Sequence, residues 1–498
     1  MTRFRDVRFA GYDSITHSPL RGRKFLQILK ALCFHLTSNS VQAMQKHENT
    51  THGAPPLSRR DFLLQGGGIW VASLFSHSKI LRFVALAEDK PTGLQPASTT
   101  GSLSPADDQF LEELEKLTFT YFWEQGSPMT GLVKDRCNVR EHDASVVASI
   151  AATGFGLSAL CIGQKRGFVS VRDARERVLT TLRFLGKKMP THRGFFYHFA
   201  DVNTGERVWD SEVSSVDTAI LLCGILTCRQ SFEEHSEISR LAYEIFDRVD
   251  WSWLSEDTSL LPHGWTPEVG FLPYRWDYYS ELMMMYLLGL GSLSHPLSVE
   301  TWNAWKRTRF EYEGIGYIGS FAPLFVHQYS QAWFDFRGKR DKYADYFQNS
   351  VAATEAHRRF CLELAKQFPD YSDDLWGITA SDSQKGYVIW GGPPAIGPID
   401  GTVVPSASAG SMPFLPQPVM RVLRNIKDHY GRAFSKYGFV SAFNPLKNWY
   451  DHDVIGIDLG ITLLMAENAR TGFVWDTFMK NPEAQRGMAR AGFKKYTP

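Results

Sequence analysis

Three carboxylates crowd into eight residues in the run Asp451-His452-Asp453-Val454-Ile455-Gly456-Ile457-Asp458, directly ahead of an apolar stretch. Like charges this close raise at least one pKa, which suits a base or a site that holds water. A helix N-cap is the competing role for Asp458. A fourth acid, Glu268, stands in Gly264-Trp265-Thr266-Pro267-Glu268-Val269-Gly270-Phe271. Between Pro and Val, with aromatic rings nearby, its carboxyl is expected to be desolvated and to keep a proton near neutral pH, as a general acid must. A solvated loop glutamate is the plainer reading. A protonated carboxyl beside a leaving oxygen, with a second carboxylate that activates water or attacks the sugar, is the equipment that breaks a glycosidic bond.

Other polar groups gather in similar settings. Asp135-Arg136 joins a carboxylate to a guanidinium; such a pair can hydrogen-bond adjacent sugar hydroxyls or simply hold itself together. Asp217 falls just inside a buried helical run, where capping competes. Asp277 reads as an acid stabilising a helix N-terminus, whereas Glu281 lies deeper. Asp382, Tyr387, Trp390 and Asp400 sit in the connection 369–415, which is too long for a plain link. Glu467 lies within an apolar helix and reads as half of a structural ion pair. Rival chemistries find little support. There is no GxSxG elbow, P-loop or GxGxxG, and no His/Cys set has zinc spacing. The calcium-like run from Asp201 to Glu212 lacks the glycine its sixth place requires. No metal and no cofactor is expected.

The elements that must position these groups are helices. From Ser104 onward the apolar spacing is helical, opening on the N-cap, first-turn proline and N3 acid of Ser104-Pro105-Ala106-Asp107. Almost wholly apolar runs (144–163, 215–230, 278–291, 320–336, 456–469) alternate with amphipathic ones (171–189, 237–249, 299–310, 342–368, 418–434). The first kind must be buried all round and the second on one side. Inner and outer helices in turn over 106–498 predict an all-α (α/α)6 toroid of six inner and six outer helices. A helical solenoid is the rival, and no repeat of fixed period supports it. Only 194–199 has the makings of a small hairpin strand. The connections 124–143, 190–214, 251–277, 369–415 and 435–455, rich in acids and aromatics, should meet at one mouth, where function concentrates.

Residues 1–87 read as an export signal. Ser58-Arg59-Arg60-Asp61-Phe62-Leu63 is a twin-arginine pattern, followed by the apolar run 62–75 and the small-x-small site Ala85-Leu86-Ala87. The run is too short and Gly-rich to span a bilayer, and an amphipathic helix is the alternative. Residues 88–105 form a flexible lead-in, and the expected location is periplasmic or secreted. The 498-residue chain has a formal charge of +1, but 1–87 holds 12 basic and 4 acidic residues, leaving the remainder at −7. Such a field does not attract nucleic acid. A 13% aromatic content hints at a neutral, ring-shaped ligand. Cys161, Cys223 and Cys228 lie in apolar helical runs, and with Cys137 and Cys361 make an odd five, read as buried thiols rather than bridges. A monomer without stable membrane insertion is expected.

As a set, Tyr121-Phe122-Trp123, Gly154-Phe155-Gly156, Gly194-Phe195-Phe196-Tyr197-His198-Phe199, Ser214-Ser215-Val216-Asp217-Thr218, Gly264-Trp265-Thr266-Pro267-Glu268, His327-Gln328-Tyr329-Ser330, Trp376-Gly377-Ile378-Thr379-Ala380-Ser381-Asp382, Tyr437-Gly438-Phe439-Val440, Gly456-Ile457-Asp458 and Glu467-Asn468 are arranged in order over about 107–480. The chain resembles the bacterial glucoamylase-like family, which includes the endo-β-1,2-glucanases of glycoside hydrolase family 144. That resemblance implies an (α/α)6 toroid and an inverting hydrolase of β-glucan, with β-1,2-glucan the expected substrate. By motif position it puts the general acid at Glu268 and the base at Asp453. Substrate contacts are expected from Asp135, Arg136, Asp217, Glu281, His327, Gln328, Tyr329, Asp382, Trp390, Asp451 and Asp458. Gln331 departs from the family's expected His, which touches a subsite contact rather than the fold. The alternatives are an α-glucan or other oligosaccharide hydrolase on the same fold, a polysaccharide lyase, and a non-catalytic glycan-binding protein. The negative charge of the mature chain disfavours the lyase, which must neutralise a uronic acid.

Overall fold

The structure, a computed structural model, describes residues 103–256, 258–320, 323–393 and 397–496. The expected export signal and most of the lead-in, residues 1–102, lie outside the described residues. Regular structure begins where the capping signal predicts. Ser104 Oγ accepts the Asp107 backbone N–H at 3.1 Å, and the Asp107 carboxylate accepts the Ser104 N–H at 3.1 Å. Two orphan donors are satisfied reciprocally, and α1 (Pro105–Glu124) follows.

Helices then alternate between the inside and outside of a ring. Inner α2 (Ile150–Arg166) is followed by outer α3 (Val171–Lys187), inner α4 (Ser215–Ser231) and outer α5 (Ser236–Asp247). A short α6 (Trp251–Ser255) leads to inner α7 (Met283–Gly291), buried at every position, and to outer α8 (Val299–Ala304). Two 3-10 turns, Leu324–His327 and Tyr329–Ala332, fill the fourth inner place before outer α9 (Tyr346–Leu364). Inner α10 (Pro405–Ala409), outer α11 (Pro416–His429) and inner α12 (Gly456–Arg470) follow, with α13 (Phe473–Phe478) and α14 (Pro482–Arg490) last. Helix α12 packs on α1 and α2, so the last inner helix meets the first and the (α/α)6 toroid closes.

Three expected helices are shorter than their apolar patterns. The 278–291 pattern becomes helical only at Met283. The described part of the 320–336 pattern from 323 onward is mostly buried but broken, because Gln328 and Gln331 turn their amides onto neighbouring segments, at Ala407 O and Ser411 Oγ and at Tyr346 O and Ser350 Oγ. Gln331 thus faces the core and not a subsite. The 299–310 pattern stops at Ala304, and Arg309–Tyr312 pairs with Ile315–Ile318 in a hairpin. Its turn residues Glu313 and Gly314 both have positive φ, 48° and 77°, which is the two-residue turn that suits strand twist. The five described cysteines are buried and unbridged. Glu467 pairs with Arg166 at 2.7 Å, as the ion-pair reading expects.

Inner helices of small residues approach to backbone contact. A Cβ on Gly224 of α4 would lie 2.1 Å from the Gly154 carbonyl oxygen of α2, and one on Gly154 would lie 2.5 Å from Ile220 O. Backbone cannot move aside as a side chain can. Gly224→Ala should therefore destabilise the fold by about 3 kcal/mol or prevent soluble expression. Thermal unfolding checks this; a variant melting with the parent would show that the helices are not in register at this crossing.

Candidate active site

The alternation has a geometric consequence. Each outer helix carries the chain back, so every inner helix starts from the same mouth. The segments ahead of those helices are stitched into a circuit. Arg136–Asn138 pairs with Asp453–Ile455, and Asp135 N donates to Val147 O at 2.9 Å. Val147–Ser149 pairs with Phe199–Asp201, Tyr197 bridges to Val213, and Val213–Ser214 pairs with Gly264–Thr266. Across the ring, Ser330 Oγ donates to Glu281 O, Phe325 N to Thr379 Oγ1, and Val404 N to Gly377 O. Val403 bridges to Phe443, and Ser441 N donates to Asp453 O at 3.0 Å.

On this rim Arg136 gathers the acids. Its Nη1 lies 2.6 Å from Asp382 Oδ2 and 3.7 Å from Asp453 Oδ2, and its Nε lies 3.1 Å from Asp135 Oδ2. Asp451 and Asp458 complete the group through their electrostatic coupling to Asp382 and Arg136. One guanidinium cannot neutralise five carboxylates. Burial, reinforced by the charges of Asp382 and Asp453, pushes Asp451 up to about 8. Burial pushes Asp458 up to about 7, although Ser441 Oγ donates to it at 2.9 Å. Asp382 and Asp453 are also raised, burial outweighing the pull of Arg136. The cluster therefore holds protonated and ionised carboxyls together near neutral pH, the mixture acid–base chemistry requires. Asp458 also lines a cavity with Phe325, Gln328, Tyr329, Tyr387 and Ser406. Trp390 is buried and donates from Nε1 to Ser381 Oγ at 2.8 Å.

Elsewhere on the rim, Asp217 in the first turn of α4 accepts the Ser214 hydroxyl at 2.6 Å and is 2% exposed. His198 lies between Asp217, 3.4 Å from Nε2, and Glu212, 3.0 Å from Nδ1. His198, Glu212 and Asp217 are the described set whose donor atoms stand close enough to hold a cation; here the imidazole itself joins the two carboxylates. Glu212 and His198 have no part in the sequence-predicted site, and the pair becomes visible only once Tyr197 and Val213 are brought together. Glu281 is buried just ahead of α7, and its carbonyl is tied to Ser330, next to the cavity-lining Tyr329.

Three expectations need correction. Glu268 is not desolvated. Its side chain is half exposed and forms a fork with Arg207, at 2.6 and 3.0 Å, which holds the carboxyl down to about 2. The fork keeps it ionised at neutral pH in this structure, and it is not among the residues lining the Asp458 cavity. His327 is packed between Tyr279 and Tyr317, with ring centroids 4.9 and 6.1 Å away, and burial lowers it to about 3. It is a neutral core ring rather than a ligand of substrate. Asp277 does not cap α7, which starts six residues later.

The family model described as "Putative glucoamylase" matches residues 273–482. An exo β-1,2-glucooligosaccharide sophorohydrolase (non-reducing end) of Parabacteroides distasonis is 28% identical over 423 residues, which is 77% of this chain; the chain spans 58% of that relative's length. The structure of an endo-β-1,2-glucanase from Chitinophaga pinensis, with sophorotriose and glucose, is 28% identical with a TM-score of 0.73, over 78% of this chain and 99% of that one. A crystal structure from Bacteroides fragilis described as a "putative glucoamylase" is 30% identical with a TM-score of 0.73, over 81% of this chain and 100% of that one.

Burial of Asp458 makes stability depend on pH. The folded chain keeps this proton up to about pH 7, whereas an unfolded chain releases it near pH 4. The folded state then binds more protons across that window, so stability falls as pH rises from about 4 to about 7. Asp458→Asn should remove on the order of 4 kcal/mol of that fall. Melting temperatures at pH 4.5 and 7.5 test it; parallel curves for variant and parent would mean that Asp458 is ionised throughout.

Proposed function

The chain belongs to the glucoamylase-like family, and from that premise we propose that it is a glycoside hydrolase that cleaves β-1,2-linked glucan with inversion at the anomeric carbon. The observation that carries the reading is the Arg136 cluster, a group of carboxyls of unequal protonation set on the mouth of a helical ring. The names of the P. distasonis and C. pinensis relatives support the linkage.

Asp453 serves as the base. Its side chain is 25% exposed, so water can reach it, and Arg136 at 3.7 Å favours its charged form. Asp382 and Asp135 hold Arg136 in place from the other side. The proton donor must sit across the substrate from that water. Glu281 takes the role for which Glu268 is unsuited. It is 5% exposed and stands at the lip of an inner helix, tied through Ser330 to the segment that lines the cavity with Asp458. Glu281 protonates the leaving oxygen, Asp453 removes a proton from the attacking water, and the product anomer is inverted. The reading includes export by the twin-arginine route, supported by Arg59-Arg60 and the apolar run after it.

Incubation of the protein with β-1,2-glucan, with the first anomer followed by NMR, should show the inverted product. Absence of cleavage, or a retained anomer, would overturn the reading, and cleavage of α-glucan instead would replace its linkage. Glu281→Gln and Asp453→Asn should each lower kcat by about a thousandfold, and Glu268→Gln by less than about tenfold. A thousandfold loss in Glu268→Gln with an active Glu281→Gln would return the acid to Glu268. Arg59→Lys with Arg60→Lys should leave the protein in the cytoplasm; unchanged export by fractionation would refute that route.

A further inference from the structure

The loop that leads into α4 carries an exposed aromatic ring on a strained backbone. Trp209 and Asp210 are consecutive non-glycine residues with positive φ, 55° and 47°, and Trp209 is 54% exposed. Two adjacent left-handed residues persist only where their surroundings hold them, and such strain collects at functional sites. The hold here is explicit. The Arg207 guanidinium folds over its own loop, donating to Asp210 O and Ser211 O at 2.6 Å each, and Glu268 locks the guanidinium from outside with two further bonds. The Trp209 ring meets Phe199 edge-to-face at 5.2 Å. Phe199 belongs to the strand paired with Val147–Ser149, so the platform stands on the circuit that rims the mouth.

Resting on the β-1,2-glucan reading above, we propose that Trp209 and the Arg207–Glu268 fork form a rim subsite for a distal glucosyl unit of a long chain. An indole face matches the apolar face of a pyranose ring. A guanidinium and a carboxylate side by side supply a donor and an acceptor for its hydroxyls. The expense of an exposed tryptophan on a strained loop has an explanation if a sugar covers it. Glu268 is then a substrate-binding group, which accords with its ionised state and its exposure.

The test compares kcat/KM for β-1,2-glucan polymer with that for sophorotriose in wild type, Trp209→Ala and Trp209→Phe. Because the ring is exposed, all three should melt within a few degrees of one another. Trp209→Ala should raise KM for the polymer about tenfold, with kcat and the values for sophorotriose unchanged. Trp209→Phe should recover most of the loss, a rescue that a merely structural role would not show. A wild type inactive on both substrates would overturn the reading of function and this inference with it. An active wild type whose polymer-to-trisaccharide ratio is unmoved by Trp209→Ala, or a variant that loses both substrates equally, overturns the rim subsite alone.

Discussion

The structure turns on one guanidinium set among too many carboxylates. Arg136 lies within 4 Å of Asp135, Asp382 and Asp453, and the buried Asp451 and Asp458 add two more acids to its field. Removing charge from water is costly unless it is paired. A folded chain with this arrangement must leave protons on some of the acids. Those protons are the chemical capacity of the site, and they exist because the fold supplies one cation where neutrality would need several.

Nothing local could hold that cluster. Arg136 and Asp453 meet because Arg136–Asn138 pairs with Asp453–Ile455, a contact spanning nearly the whole described chain. The pairing in turn requires α12 to pack against α2, which requires the ring to close. Closure depends on inner helices of small and apolar residues that approach to backbone contact, as Gly154 and Gly224 do. Because outer helices return the chain, all inner helices start at one rim, and acids at their first turns (Asp217 on α4, Asp458 on α12) share a mouth without being near in sequence. The positive ends of those helices also face the acids, which favours negative charge there. Ring closure, burial and protonation are thus one linked constraint.

That linkage explains what was legible from residues alone. Helical period and the contrast between all-apolar and amphipathic runs report burial directly, so the toroid, its chain order and the acid-rich loops could be read. Asp135, Arg136, Asp382, Asp451 and Asp453 were legible as members of the acid-rich loops, and Asp458 as the first-turn acid of the apolar run that follows. The broken segment at 324–332 was not, because its apolar content matches a helix while the amide bonds of Gln328 and Gln331 to distant backbone decide its path. Nor was the 309–318 hairpin, whose turn uses Glu313-Gly314 in place of the usual Asn-Gly signal.

Glu268 and Asp458 show why a carboxyl's role escapes sequence context. Pro267, Val269, Trp265 and Phe271 surround Glu268 with apolar neighbours in the chain, yet in space its decisive neighbour is Arg207, 61 residues away. A private guanidinium and open solvent leave it ionised. Asp458 stands among Gly and Ile in a helical turn that looks ordinary, yet it shares Arg136 with competing acids and has no solvent to spread its charge. The two carboxyls differ by about five pKa units, 2 against 7. What separates them is first burial, which strips Asp458 of water, and then the private guanidinium that Glu268 has and Asp458 lacks. Both differences are properties of the closed ring, and they decide which carboxyl keeps a proton near neutral pH.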